Sequence, residues 1–123
     1  MIIRLIDDNI KPGTIVPKPK GSTEFIVKSI WDQRRRGEGA LIYTIPNRKD
    51  PSRVYLKGIT KTEFIRAYQE LETTGYFTRQ WFINNLTGCS REGDCNFTTI
   101  GGIFDLIGLA KYENETKGAY KWK

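Results

Sequence analysis

The spacing of apolar residues changes near residue 60, and this change limits the folds open to the 123-residue chain. Upstream, the segments 23–33, 40–45 and 53–59 are rich in β-branched and aromatic residues and are separated by turn residues. This pattern predicts three antiparallel strands. Downstream, apolar residues recur with the period of an α-helix. We therefore expect an α+β fold, with an N-terminal antiparallel β-meander packed against a helical C-terminal half.

A capping box predicts where the first helix begins. Thr60 and Glu63 have the spacing of that motif, and Gly75 is expected to end the helix. Two further helices are predicted over 78–88 and 98–108, each beginning with a threonine cap and ending at a glycine. The periodic apolar residues of the three helices are expected to form the core: Phe64, Tyr68, Leu71, Trp81, Phe82, Ile100, Ile103, Phe104 and Ile107.

The remaining segments are short. Residues 2–6 form an apolar run that predicts a strand, with a helix as the alternative. Residues 11–21 contain three prolines and two glycines, which favours an extended connector along a sheet edge. Residues 88–96 are expected to be a loop between the second and third helices. The segments 109–112 and 119–122 predict a closing β-hairpin.

The positive charge lies in the first half of the chain. The net charge is +6, and residues 1–59 carry twelve Lys and Arg against six Asp and Glu, whereas residues 60–123 carry eight of each. We therefore divide one expected domain, 1–123, into a basic β lobe (1–59) and a helical lobe (60–123). The densest cluster, Arg34–Arg36, is predicted at a hairpin tip, where it is either a solvated turn or a phosphate-binding element. Such a balance favours an acidic partner.

The chain contains no histidine, which removes several classes of enzyme. Nucleophile pairs of the Ser-His and Cys-His type cannot form within it. Cys89 and Cys95, without histidine, are too few for a structural zinc site. A redox or disulfide role for the pair is weighed against two ordinary small residues in a turn. We expect no cofactor and no bound metal.

A metal-dependent nuclease is the one enzymatic alternative that the composition allows, because carboxylates and a lysine can replace histidine there. Asp7 and Asp8 fit a turn after the first strand better than they fit a metal site. Glu24 and Lys28 are four residues apart, where the usual motif has a spacing of two. The sequence therefore favours a protein that is not an enzyme.

The N-terminal apolar run is about six residues long, shorter than the roughly 7 to 15 residues of a signal peptide. No run approaches the roughly 18 apolar residues of a membrane span. We expect a cytoplasmic protein with no membrane partner.

The order of three helices and a hairpin in residues 60–123 resembles the winged helix-turn-helix superfamily. The stretch Thr98–Leu109 looks like the third helix of that family, and Lys117–Tyr120 looks like its wing. The resemblance implies a winged-helix-like C-terminal half, whose third helix enters the major groove and whose wing contacts phosphate. It implies that Thr98, Thr99, Gly102 and Asp105 face bases, and that Lys111, Lys117 and Lys121 lie near the nucleic-acid backbone.

The charge balance favours the basic β lobe instead as the binding surface. The leading hypothesis is a non-enzymatic nucleic-acid-binding or accessory protein, with DNA as the favoured nucleic acid. The alternative is a protein-binding adaptor or inhibitor of an acidic partner. Trp31, Tyr43 and Tyr55 are candidate stacking residues. Core packing is the alternative for all three, and it is the favoured interpretation of Trp31, which lies in an apolar strand. The predicted binding residues are Arg34, Arg35, Arg36, Arg48, Lys49, Arg53 and Lys57, with Lys111, Lys117 and Lys121 from the resemblance.

Overall fold

A computed structural model describes residues 1–21, 23–114 and 118–123. Its described part contains a four-stranded antiparallel sheet in the order β1-β2-β3-β4 and a three-stranded sheet in the order β5-β7-β6. The strands are β1 (Ile15–Val16), β2 (Phe25–Arg35), β3 (Glu38–Pro46), β4 (Val54–Thr60), β5 (Tyr76–Thr78), β6 (Ala110–Glu113) and β7 (Ala119–Trp122). The helices are α1 (Ile2–Asn9), α2 (Lys61–Thr74), α3 (Arg79–Asn85), α4 (Thr87–Glu92) and α5 (Cys95–Leu106).

The predicted α+β class and the N-terminal meander are confirmed. Strands β2 and β3 pair up to Arg35 opposite Glu38, which leaves Arg36 and Gly37 as the turn. Both turn residues have positive φ, 48° and 83°, as a two-residue type I′ hairpin requires. The connector 11–21 also lies along the sheet edge as predicted, since its two central residues pair with β2 as strand β1.

The start of α2 follows the predicted capping box. The Thr60 hydroxyl accepts from the Glu63 N–H at 3.1 Å, and Glu63 Oε1 accepts from the Thr60 N–H at 2.9 Å. Gly75 ends the helix with φ of 84°. The Thr78 hydroxyl caps α3 by accepting from the Trp81 N–H at 3.1 Å. Local sequence therefore determines where these helices begin.

The strand predicted at residues 2–6 is wrong, because this segment belongs to helix α1. Ile2, Ile6 and Ile10 are spaced by four residues, and at most 1% of each is exposed. One buried residue per turn is the period of a helix. The apolar run was too short to distinguish the period of a strand from that of a helix.

The loop predicted at residues 88–96 is also wrong, since it contains most of α4 and the first residues of α5. Helix α3 ends at Asn85, with Leu86 as its C-cap, rather than at Gly88. Helix α5 begins after Asp94, so Thr98 lies within it and is not its cap. The Thr98 hydroxyl instead donates to the Cys95 carbonyl at 3.0 Å.

The core lies between the first sheet and the helices and continues under the second sheet. Phe77 of β5 is fully buried, and the sequence analysis did not include it in the core. Five aromatic rings surround it within 6.4 Å between centroids: Trp81, Phe82, Phe97, Phe104 and Tyr120. Of the predicted core, Phe64, Leu71, Phe82, Ile100, Ile103 and Phe104 are fully buried, whereas Tyr68, Trp81 and Ile107 pack partly buried against it.

Replacing Gly101 with alanine is expected to destabilise the protein. A Cβ atom at this position would lie 2.0 Å from Cε2 of Tyr120, and that ring is buried, so it cannot move into solvent. Overpacking of this kind costs about 1 to 3 kcal/mol, which exceeds the gain in helix propensity of about 1 kcal/mol. Urea unfolding measures the loss.

The control for Gly101→Ala is the same change in a Tyr120→Leu background, where the ring is gone. There the added methyl group should be neutral or stabilising. An equal loss of stability in both backgrounds would contradict the close approach of α5 and β7.

Candidate nucleic-acid interface

Ion pairs hold the tip of the β2–β3 hairpin against the helical lobe. Arg36 Nε lies 2.6 Å from Glu63 Oε2, and Arg36 Nη1 lies 2.6 Å from Glu92 Oε1. Arg36 Nη2 also donates to Glu63 Oε1 and to the Gly58 carbonyl, both at 2.8 Å. Arg35 Nε lies 2.9 Å from Glu92 Oε2. Two arginines of the sheet therefore share two glutamates, one from α2 and one from α4.

This cluster is largely shielded from water. The side chains of Arg36, Glu63 and Glu92 are 26%, 11% and 17% exposed. Burial acts to raise the pKa of Glu63, but hydrogen bonds from Arg36 and from the Thr60 N–H outweigh it and hold that pKa below its usual value. The hydrogen bond with Glu63 raises the pKa of Arg36 against the effect of burial. Both groups are therefore charged at neutral pH.

The arginine run predicted to bind phosphate is divided by this network. Arg35 and Arg36 have glutamate partners within the chain, and the sequence analysis did not identify those partners. Lys57 is also engaged, because its Nζ donates to the Glu92 carbonyl at 2.7 Å. Arg34 is exposed to solvent. The hairpin tip thus directs much of its charge toward the protein itself.

The other end of the first sheet carries exposed basic residues. Arg48 and Lys49 lie in the β3–β4 loop and are exposed. The Asn47 side chain orders this loop, since its Oδ1 accepts from the Lys49 N–H at 3.0 Å and from the Asp50 N–H at 3.3 Å. Arg53 lies 3.4 Å from Asp50, and 78% of the Arg53 side chain is exposed. An exposed pair of this kind is weak and leaves Arg53 accessible.

The three candidate stacking residues have different surroundings. Trp31 is partly buried, and its Nε1 donates to Asp7 Oδ1 of α1 at 2.6 Å. Tyr43 is fully buried, and its hydroxyl donates to Asn96 Oδ1 at 2.6 Å. Tyr55 is 54% exposed. Of the three, only Tyr55 presents enough ring surface for a base to stack on it.

Strand register connects Tyr55 to a buried aromatic residue. Val16 pairs with Phe25, and Ile45 pairs with Tyr55. Continuing this antiparallel register by one residue beyond the pair of Ile26 and Thr44 places Phe25 opposite Ile45. Residues directly opposite one another share a face, and strands are about 4.8 Å apart, so the row from β1 to β4 spans roughly 14 Å. The exposed fraction of the side chains along this row rises from 7% at Phe25 to 54% at Tyr55.

Two concavities adjoin along this row. The first, which we call the hairpin pocket, has a volume of about 370 Å³ and is lined by Ile45, Pro46, Asn47, Arg48, Lys49 and Tyr55. The second, which we call the seam pocket, has a volume of about 360 Å³ and is lined by Lys18, Pro19, Lys20, Phe25, Arg79, Thr98 and Tyr112. Phe25 lines the seam pocket and Ile45 lines the hairpin pocket, and the strand register places these two residues opposite each other. We call the two pockets together the basic strip.

The basic strip includes three cations that the sequence analysis did not predict. Lys18 and Lys20 come from the connector, and Arg79 is the first residue of α3. Lys18 and Lys20 are separated only by Pro19, whereas Arg79 lies 59 residues further along the chain. The packing of the two lobes brings Arg79 to the two lysines. The two lysines within a proline-rich connector were the available sequence signal.

The C-terminal residues suggested by the winged-helix resemblance are only partly accessible. Thr99 and Gly102 are buried within α5, where they contact the protein interior. Lys111 and Lys121 are exposed on β6 and β7, and Lys121 Nζ lies 3.8 Å from Glu113 Oε2. Lys117 lies outside the described residues.

The side chains considered for metal chemistry are dispersed. Asp7 and Asp8 lie in α1 and not in a turn, and Asp8 lies 3.9 Å from Arg4. Within residues 1–21, 23–114 and 118–123, no three His, Cys, Asp or Glu side chains form a group that could hold a metal ion. Cys89 and Cys95 are not joined, and they lie in α4 and α5 rather than in a turn. Burial raises the pKa of the Cys89 thiol, which disfavours a reactive thiolate.

The chain matched no protein-family model, and searches of curated proteins and of solved structures found no match to it. Among the helices that the structure describes, none is both long enough and apolar enough to cross a membrane.

Proposed function

We propose that this protein is a non-enzymatic nucleic-acid-binding protein, and that the basic strip is its binding surface. The observation that carries the proposal is the arrangement of Lys18, Lys20, Arg79, Arg48 and Lys49 around a row of apolar and aromatic side chains. A basic groove with an exposed aromatic ring is the arrangement that binds single strands, because cations follow the backbone and rings stack on bases.

The distribution of paired and exposed cations supports this choice of surface. Glu63 and Glu92 neutralise Arg35 and Arg36 at the hairpin tip. Arg48 and Lys49 are exposed, and no acid lies among the residues described as lining the two pockets. Phosphate contacts supply most of the affinity in sequence-independent binding, so exposed cations matter more than the total charge.

The protein-binding alternative is supported by the same end of the sheet. Val54 and Tyr55 are each 54% exposed, and exposed apolar side chains of this kind are suited to burial against another protein. Salt dependence separates the two functions, because release of counterions from phosphates gives a steep linear relation between log affinity and log salt. A cytoplasmic location is part of the proposal, since nucleic acid is available there.

The test is the double variant Arg48→Gln and Lys49→Gln. If both cations contact phosphate, the slope of log affinity against log salt should fall by about 1.4 on single strands or about 1.8 on duplex. Fluorescence anisotropy with labelled oligonucleotides, measured over a range of salt concentrations, gives the slope for single strands and for duplex.

The matched control is Arg4→Gln with Lys28→Gln, which also removes one arginine and one lysine. Both side chains are exposed, and both lie away from the basic strip, on α1 and on β2. The control should leave the slope nearly unchanged. An equal reduction by the control would show that net charge, and not this surface, governs binding. No binding of the unmodified protein to single strands or duplex at low salt would reject the proposed function in favour of the protein-binding alternative.

A further inference from the structure

The seam pocket differs from the rest of the basic strip in being built from both lobes. Lys18, Lys20 and Phe25 come from the connector and the start of β2, whereas Thr98 and Tyr112 come from α5 and β6. The hairpin pocket is lined by residues of the first sheet and its loop alone. A chain lying along the strip from Tyr55 therefore meets the helical lobe when it reaches the seam pocket.

Two of the three cations in the seam pocket are held in place. Lys18 Nζ lies 4.2 Å from the centroid of the Phe25 ring and donates to the Thr23 hydroxyl at 2.8 Å. The Arg79 guanidinium lies 4.5 Å from the centroid of the Phe97 ring. Side chains that are already ordered lose little conformational entropy when they bind a ligand. The third, Lys20, is exposed and free to adjust.

The charge of the pocket matches a dianion better than a monoanion. Lys18, Lys20 and Arg79 contribute three positive charges, and one acid, Asp94, is paired with them, at 2.6 Å from Arg79 Nη1. Arg79 Nη1 is buried, and its contact with Asp94 lacks the alignment of a hydrogen bond. The Asp94 side chain is 71% exposed. About two positive charges are left. Glu24, next to Phe25, is exposed and is not among the residues that line the pocket.

We propose that the seam pocket binds a phosphate monoester at the end of a nucleic-acid strand. A monoester carries a charge of about −1.5 to −2 at pH 7, whereas each internal phosphodiester carries a single charge. Terminal phosphate in the seam pocket places the following nucleotides over Ile45 and Tyr55. This inference rests on the proposed function, since it assigns one position of the strand to one part of the same strip.

The experiment compares three single-stranded oligonucleotides of one sequence, with a 5′-phosphate, a 3′-phosphate or neither. One phosphorylated form should bind at least about tenfold more tightly than the unphosphorylated form, which is the ratio expected from one added charge-assisted hydrogen bond. Titration by fluorescence anisotropy at one fixed salt concentration measures the ratio. Equal affinities for all three would overturn the inference while leaving the proposed function intact, whereas binding of none would reject both.

Matched variants separate the seam pocket from general attraction. Lys20→Gln should remove most of the preference for the phosphorylated strand while changing the affinity for the unphosphorylated strand much less. Lys28→Gln, on the outer face of β2, should retain the full preference. The double variant Arg48→Gln and Lys49→Gln should weaken every strand and keep the ratio.

Competition identifies the source of the phosphate. Adenosine 5′-monophosphate should displace the phosphorylated strand more effectively than adenosine does, yet bind more weakly than the strand itself. Binding of the free nucleotide as tightly as the strand would overturn the assignment to a strand end and point to a small phosphomonoester as the ligand.

Discussion

Replacing Arg36 with methionine is expected to lower the free energy of unfolding by about 3 kcal/mol, at the lower end of the range for removing one partner of a buried ion pair. Methionine keeps an unbranched apolar side chain against α4, where a Cβ on Gly88 would lie 2.7 Å from Arg36 Cδ. It removes the contacts with Glu63, Glu92 and the Gly58 carbonyl. Urea unfolding followed by tryptophan fluorescence measures the loss.

The control is Arg34→Met, in strand β2 two residues before Arg36. Arg34 is exposed and has no glutamate partner in the described part of the chain, so its loss should change stability by no more than about 0.5 kcal/mol. Equal effects of the two variants would contradict the ion-pair network.

The pH dependence gives a second readout of the Arg36 variant. In the unmodified protein the folded pKa of Glu63 is lowered, so the stability it contributes is complete above its unfolded pKa of about 4.3 and is lost as the pH falls through the folded value. Without Arg36, the hydrogen bond from the Thr60 N–H remains, but the largest effect that lowers the pKa of Glu63 is lost. This pKa should therefore rise in the direction that burial favours, and the charge of Glu63 should become less favourable. The loss caused by Arg36→Met should therefore be largest at neutral pH and shrink as the pH approaches 4.

Replacing Phe77 with alanine is expected to cost about 3 to 5 kcal/mol, the usual penalty for truncating a buried phenylalanine. Phe77 is fully buried, and its ring lies 5.0 Å from that of Phe97 and 6.0 Å from those of Trp81 and Phe104. Because these rings come from α3 and α5, no single movement can fill the space. Thermal and urea unfolding should both show the loss.

Two variants calibrate the effect of Phe77→Ala. Phe77→Leu retains most of the volume and should cost much less. Ile83→Ala truncates an apolar side chain on the neighbouring helix that is 41% exposed, and it should change stability by about 0.5 kcal/mol or less. A loss at Phe77 as small as that at Ile83 would show that β5 does not anchor the core.

Local sequence patterns predicted much of the fold. The capping box at Thr60 and Glu63 and the left-handed Gly75 are determined within a few residues, so the limits of α2 could be inferred without tertiary information. The strands of the meander could likewise be inferred from local sequence, because turn residues separate them. The failures lie where segments are short. Residues 2–6 fit the period of a strand and that of a helix. Strand β5 has only three residues, so no periodic pattern identified Phe77 as a core residue.

The candidate site was less predictable because it depends on contacts distant in sequence. The run Arg34–Arg36 is conspicuous in the sequence, but no local rule identifies Glu63 and Glu92 as its partners. Charge counting located the excess in residues 1–59 and could not separate paired from exposed cations. Lys18, Lys20 and Arg79 meet only after the lobes pack, so no motif could have grouped them.

The close approach of β1 to α5 has a consequence for synthesis on the ribosome. A Cβ on Gly102 would lie 2.5 Å from both the Pro17 carbonyl oxygen and Val16 Cγ1, so the docking surface for the connector includes the middle of α5. At about 5 to 20 residues per second, translation needs roughly 4 to 17 s to proceed from Pro17 to Gly102. During that interval the connector has no partner in α5. Its prolines and lysines suit it to the delay, because such residues resist pairing with the strand edges of other nascent chains.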